Sequence, residues 1–494
     1  MSTQLVVLAS IAAYFAILLA VAMVTKKKEG GAFFSQRKTP WAVAAIAAVG
    51  APISGVTFVS VPGMVVTKAF SYLQMMLGFV VGYFIIAFVL IPLFYKLKLT
   101  SIYGYLKDRF GSSSHKSGAW LFFVSKMLGA SVRFFVVCVV LQGLVFGPLG
   151  IPFIANVAVT VALICLYTSL GGVNTVIWTD TLKSLCLVSS LVLCIVFVAK
   201  GLGYDMASMF ASVASDDSSR IFFFDNPSEG TYFFKQFLGG VFMCLATTGL
   251  DQDLMQRNLH CSDFKASQKS LITSVFTQFV VISLFLVLGV LLKQYFIAFL
   301  SDGSAIASQI GTTDNLFASV VASPGMPAAV LVLFIVGLVS ASYSAAGSAL
   351  TALTTSFSLD ILGFDPSDAS KSRLIKLIHS LMAVGMGIVI IVFNALNNQD
   401  AISAVYTLAS YTYGPILGMF AFGILTRLEV RDRLMPVVAI AAPLLSFACK
   451  WALARFLGYT VGFELILVNA AITFALMLLF SRERDSSIRN RQTV

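Results

Sequence analysis

The sequence predicts an all-α polytopic membrane protein, and three observations carry that prediction. Of its 494 residues, 58% are hydrophobic and only 11% are charged, whereas an ordinary soluble domain has about a quarter of its residues charged. Uninterrupted apolar runs of about 20 residues, the length a helix needs to cross a bilayer, recur from end to end. Basic residues collect in every other loop between those runs.

Thirteen runs are present, near 5–25, 41–67, 72–95, 118–146, 152–169, 175–199, 235–250, 270–296, 326–359, 374–395, 401–425, 435–456 and 461–480. With successive loops assigned to opposite sides, one side holds Lys26–Lys28, Lys96, Lys98, Lys107, Arg109, Arg257, Lys265, Arg373, Lys376, Arg427 and the basic tail. The other side holds little beyond Lys68 and Arg220. That is the positive-inside pattern, and it puts the N-terminus outside and the C-terminus in the cytoplasm of a cell inner membrane. It accounts for the net charge of +11 without a nucleic-acid partner. In the first run the lysines follow the apolar stretch, so it reads as a retained helix and not a cleaved signal peptide.

The seven cysteines lie in or beside runs without a C-x-x-C pair, which implies neither a disulfide framework nor a zinc site. His115, His260 and His379 are expected in loops or at helix ends, far apart in sequence. Nothing resembles H-E-x-x-H or a nucleophile elbow, so no enzyme is expected. The partners implied are a small solute and the lipid bilayer, with a monomer as the working unit.

Two runs are interrupted. AVGAPISGVTFVSVPG (48–63) clusters Gly50, Pro52 and Gly55, and GGVFMCLATTGLDQDL (239–254) places Thr247, Thr248 and Gly249 near its end. They stand five runs apart, as broken helices do in transporters built from inverted repeats, where unwound backbone offers carbonyls to cations. A simple packing kink is the alternative for either one alone.

Charges inside runs mark pathways or paired sites. Arg133 lies about 20 Å of helix rise from the end of its run, too far to snorkel to the surface. Asp180 and Lys183 are one turn apart, either as an ion pair at an interface or as part of a site. On the uncharged stretch ASYSAAGSALTALTTSF (341–357), Ser344, Ser348, Thr351 and Thr355 fall on one helical stripe. Such a stripe serves close helix packing or, as oxygen ligands, a hard cation.

Four segments together resemble the sodium/solute symporter family: SGVTFVSVPG (54–63), YTSLGGVNTVIWTD (167–180), LDQDLMQRNL (250–259) and SALTALTTSFSLDIL (348–362). The resemblance implies a leucine-transporter-like fold working by alternating access. Residues 1–30 would be an extra N-terminal helix, 41–199 and 235–425 two inverted five-helix repeats, 435–480 two extra C-terminal helices, and 481–494 a cytoplasmic tail. It implies sodium-coupled symport of a small organic solute, with Na+ as the coupling ion. Proton-coupled or sodium-independent transport of a sugar is the alternative, and a transporter-like sensor a further one.

Carried over by position, the sodium site would use backbone carbonyls of Gly50, Ile53 and Ala341 with the hydroxyl of Ser344. The family usually has a second hydroxyl next, where this chain has Ala345. A second cation site would fall on Asp180, Ser344 and Ser348, with Gly347 where another hydroxyl is usual and the ammonium of Lys183 standing in for the ion. No other metal is implied. Ser54, Thr57, Gln74 and Arg133 would face the solute, Arg133 as the partner of a carboxylate like that of sialic acid. Tyr411 and Tyr413 are expected as gate or packing residues.

Overall fold

The structure, a computed structural model, describes residues 3–26, 53–97, 102–170, 173–259, 263–364, 371–396 and 401–482. It is nearly all helix, as lipid requires of a chain whose backbone groups must be satisfied within each span. Each of the thirteen apolar runs carries helix. Helix α1 (Thr3–Lys26) is followed by α2 (Gly55–Lys68), α3 (Tyr72–Ile85), α4 (Ile91–Leu97), α5 (Gly104–Arg109) and α6 (Ser112–Leu141). Then come α7 (Phe153–Leu170), α8 (Val173–Gly201), α9 (Met206–Ser215), α10 (Phe233–Cys244), α11 (Gln252–Leu259) and α12 (Phe264–Phe299). The last are α13 (Ala328–Ser356), α14 (Ser372–Leu396), α15 (Ala401–Leu425), α16 (Met435–Leu457) and α17 (Leu465–Leu479).

Among the described residues, eight helical stretches are long and apolar enough to cross a membrane, one of them Gly55–Leu97. That stretch holds two runs, which part at Ala69, whose positive φ of 49° turns the chain between α2 and α3. The loops near 201–234 and 299–325 carry short helices of their own, α9 among them.

Burial separates centre from rim. The apolar window of α15 is 67% buried and that of α16 only 22%, so α15 belongs to the core while α16 turns Ile440, Leu444 and Phe447 to the lipid. Helix α13 is central, packed on α1, α2, α6 and α8. Close approach is built in by glycine: a Cβ on Gly240 of α10 would lie 2.2 Å from the Met75 carbonyl of α3.

The described parts of both runs expected to be interrupted bear on the centre. The α10 helix loosens into a π turn at Leu245–Gly249, Leu250 leaves helical geometry (φ −113°, ψ 12°), and α11 restarts at Gln252. Ser54 is extended (φ −111°, ψ 178°) immediately before α2, while Gly50 and Pro52 lie outside the described residues. The start of α2 rests on α13, since a Cβ on Gly55 would fall 1.7 Å from the Ser342 Oγ. Any side chain there would push the Ser342 hydroxyl aside.

Candidate functional site

The start of α2 and the break between α10 and α11 meet α6, α8, α13 and α15 around a cavity of about 90 Å³. Its wall includes Ser54, Arg133, Lys183, Thr248, Ser342 and Ser348. Among the described residues Arg133 makes no hydrogen bond or ion pair, although it lines the cavity. A guanidinium in that position calls for an anion.

One end of the cavity is bridged by charges. Lys126, on the same helix as Arg133 and seven residues before it, bonds Asp251 (3.1 and 3.0 Å) and Asp253 (3.2 Å). Asp251 sits in the gap between α10 and α11, where its Oδ1 also accepts the Asp253 and Leu254 amides at 3.0 and 3.1 Å. Its Oδ2 takes the Tyr413 hydroxyl of α15 at 2.7 Å. The Asp253 Oδ2 takes the Ser348 hydroxyl of α13 at 2.8 Å. Four helices are thereby tied through two carboxylates.

The other end is bridged mainly through hydroxyls. The Tyr72 and Tyr406 hydroxyls are 2.7 Å apart, and Lys68 donates to Ser403 at 2.8 Å. The segment after α9 covers this end: Phe70 N donates to the Arg220 carbonyl at 3.1 Å. The Gln74 amide donates to the Thr231 carbonyl at 2.8 Å and accepts from the Phe223 amide at 3.1 Å.

Residues 32–429 match the sodium:solute symporter family. The chain belongs to that family. It is a symporter that couples a small solute to sodium. It is 25% identical over 482 residues to a sodium/sialic acid symporter of Aliivibrio fischeri, spanning 93% of this chain and 91% of that one. It is 28% identical over 380 residues to a sodium-dependent multivitamin transporter of Oryctolagus cuniculus, spanning 75% of this chain and 57% of the longer relative. A solved Na+-coupled sialic acid symporter superposes with a TM-score of 0.77 at 20% identity, over 97% of this chain and 99% of that one. That likeness establishes the leucine-transporter-like fold.

Within the symporter, the residues predicted from sequence divide. Ser54, Arg133, Lys183 and Ser348 share the cavity wall, with Lys183 fully buried and not at a solvated interface. Ile53 and Ala341 are buried where α2 meets α13. The α2 ladder begins with Phe58 N donating to Ser54 O at 3.1 Å, which leaves the Ile53 carbonyl outside it. Gly50 and the side chains of Asp180 and Ser344 lie outside the described residues. Gln74 and Thr57 are placed elsewhere: the Gln74 amide is engaged by the covering segment, and Thr57 Oγ1 accepts the Ser54 amide at 3.3 Å to cap α2. Tyr413 is bound to Asp251, whereas Tyr411 packs on Phe447.

His379, expected in a loop or at a helix end, is instead buried inside α14. There it bridges Thr168 Oγ1 at 2.7 Å and Thr354 Oγ1 at 3.0 Å. Lys126 is one cavity-lining residue that the sequence did not single out. Its signal was the one that singles out Arg133, a charge inside the run 118–146. Ser342 is another: its hydroxyl lines the cavity, is buried, and has no hydrogen-bond partner among the described residues.

Proposed function

We propose that the symporter carries a small carboxylate-bearing solute, with sialic acid as the first to test, and that Arg133 binds its carboxylate. The Arg133 guanidinium on the cavity wall, without a hydrogen bond or ion pair among the described residues, carries this reading. Lys126, the other cation on α6 that lines the cavity, is already matched by Asp251 and Asp253. A neutral sugar gives no reason to hold an unmatched guanidinium inside a membrane, while a carboxylate pairs with it through two parallel hydrogen bonds. Relatives named as sodium/sialic acid symporters support the same chemistry.

In this reading residues 41–199 and 235–425 form the two inverted repeats, and the protein works as a monomer in a bacterial inner membrane. The basic loops put the Lys126 end toward the cytoplasm and the Tyr72–Tyr406 end toward the outside. Sodium held by the Ile53 and Ala341 carbonyls and Ser344 enters down its gradient. Each charge crossing 100 mV contributes about 2.3 kcal/mol. Coupling requires that ion and solute together favour one state of the gates, since equal affinity for both states would shift nothing.

Thermal unfolding of the purified protein in sodium tests the solute class. Sialic acid is expected to raise the melting temperature of the wild type and to leave Arg133→Gln unmoved. Stabilisation by neutral sugars but not by any carboxylate would overturn the reading.

A further inference from the structure

The sodium site carried over from the family is one hydroxyl short at Ala345, and the structure offers an oxygen beside that gap. Ser342 precedes Ala345 by three residues on α13, so the two positions share a face, and both line the cavity. Ser342 is 2% exposed, and its Oγ has no hydrogen-bond partner among the described residues. A buried hydroxyl in a membrane protein is ordinarily satisfied by its own helix or a neighbour. Other serines and threonines of α13 follow that rule: Ser340 bonds the Gly337 carbonyl, Thr351 that of Gly347 and Thr354 that of Leu350. Ser342 does not.

Its surroundings favour a cation. Gly55, with no side chain, leaves the Ser342 oxygen against the start of α2, where a Cβ would fall 1.7 Å away. Two residues earlier the Ile53 carbonyl stands outside the helical ladder. A buried hydroxyl on α13 and a carbonyl outside the ladder just before α2 are the neutral, hard donors that replace the hydration shell of a small cation.

We propose that Ser342 is a sodium ligand of this chain, supplying from one turn earlier the hydroxyl that Ala345 lacks. The proposal rests on the sodium coupling described above. It makes Gly55 part of the site, because any side chain there would displace the ligand.

The test is sodium titration of the purified protein, read by sodium-dependent thermal stabilisation and by equilibrium binding of radioactive sodium, with choline as the control ion. Ser342→Cys keeps the size of the side chain and removes a hard oxygen. It is expected to require about tenfold more sodium for half-saturation while its melting temperature in choline stays that of the wild type. Adding Ala345→Ser in the same chain is expected to restore sodium affinity, a rescue that a packing role for Ser342 would not produce. Wild-type sodium affinity in both Ser342→Cys and Ser342→Ala would overturn the proposal while leaving sodium coupling intact. A wild-type protein that binds no sodium would instead overturn the coupling on which it rests.

Discussion

The two ends of the cavity are closed by different chemistry. At one end Tyr72 meets Tyr406 through neutral hydroxyls 2.7 Å apart, with their rings 6.5 Å between centroids. At the other, Lys126 holds two carboxylates that also receive Tyr413 and Ser348. A neutral hydroxyl bond exchanges for water at little net cost, about 1 kcal/mol. Opening the ionic end separates charges in a low-dielectric setting and needs compensation from water, ion or solute. The ionic end is therefore the one whose opening can be made conditional. Asp251 sits in the gap of the broken α10–α11 helix and Asp253 in the first turn of α11, while Ser348 reaches Asp253 from α13, the helix proposed to carry sodium ligands. A change on α13 can thus reach the ionic end through the Ser348–Asp253 hydrogen bond.

Breaking the ionic end should have the largest effect. Lys126→Met takes the lysine away from Asp251 and Asp253, and removing one partner of a buried pair costs about 3–5 kcal/mol. A marked fall in melting temperature and loss of uptake are expected, and adding Asp253→Asn should recover part of the stability. Tyr413→Phe removes a single bond to a charged acceptor, about 1.5–3 kcal/mol. Thermal unfolding should show a smaller loss than for Lys126→Met, and uptake should become leaky to solute without sodium. At the neutral end, Tyr406→Phe removes a hydroxyl pair worth about 0.5–1.5 kcal/mol. The expected result is a small stability loss and faster labelling of the cavity from outside. Equal losses from Tyr406→Phe and Lys126→Met would erase the contrast between the ends.

The smallest effect concerns the segment that covers the neutral end. Burial alone would raise the carboxyl pKa of Asp216, but hydrogen bonds from Lys293 (2.7 Å), the Ser218 amide (2.8 Å) and Gln294 (3.2 Å) outweigh it and hold the pKa below its ordinary value. Because the folded pKa is depressed, this contribution is present above the ordinary carboxylate range and is lost as pH falls through the folded value. Hydrogen exchange in residues 206–232 should therefore rise in acid. In Asp216→Asn it should already be raised at neutral pH and respond less to acid.

Much of this architecture is legible in sequence because lipid writes composition directly: length, apolarity and basic loops mark the runs without any tertiary knowledge. Gly50, Pro52 and Gly55 lead one to expect a break from backbone chemistry, of which the described residues show the extended Ser54, and Arg133 is conspicuous by its depth in an apolar run. What joins those features is long-range. Lys126 stands in the same run as Arg133, but its partners are 125 and 127 residues away, and no periodicity reports that distance. Gln74 has the polarity of a solute ligand, yet its amide is engaged by carbonyl and amide groups of a segment some 150 residues on. Ser342 is one of seven serines and threonines in its stretch; packing against Gly55 sets it apart.

The central claim is that a sodium-coupled site accepts a carboxylate through Arg133. Uptake into proteoliposomes measures it most directly, with sialic acid, monocarboxylates and neutral sugars supplied under an inward sodium gradient or with choline in its place. The account predicts uptake of a carboxylated solute by the wild type only with sodium. It also predicts a loss of at least about tenfold in Arg133→Ala, the value of one hydrogen-bonded charge. Full retention of carboxylate uptake by Arg133→Ala, or transport of neutral sugars alone, would contradict it.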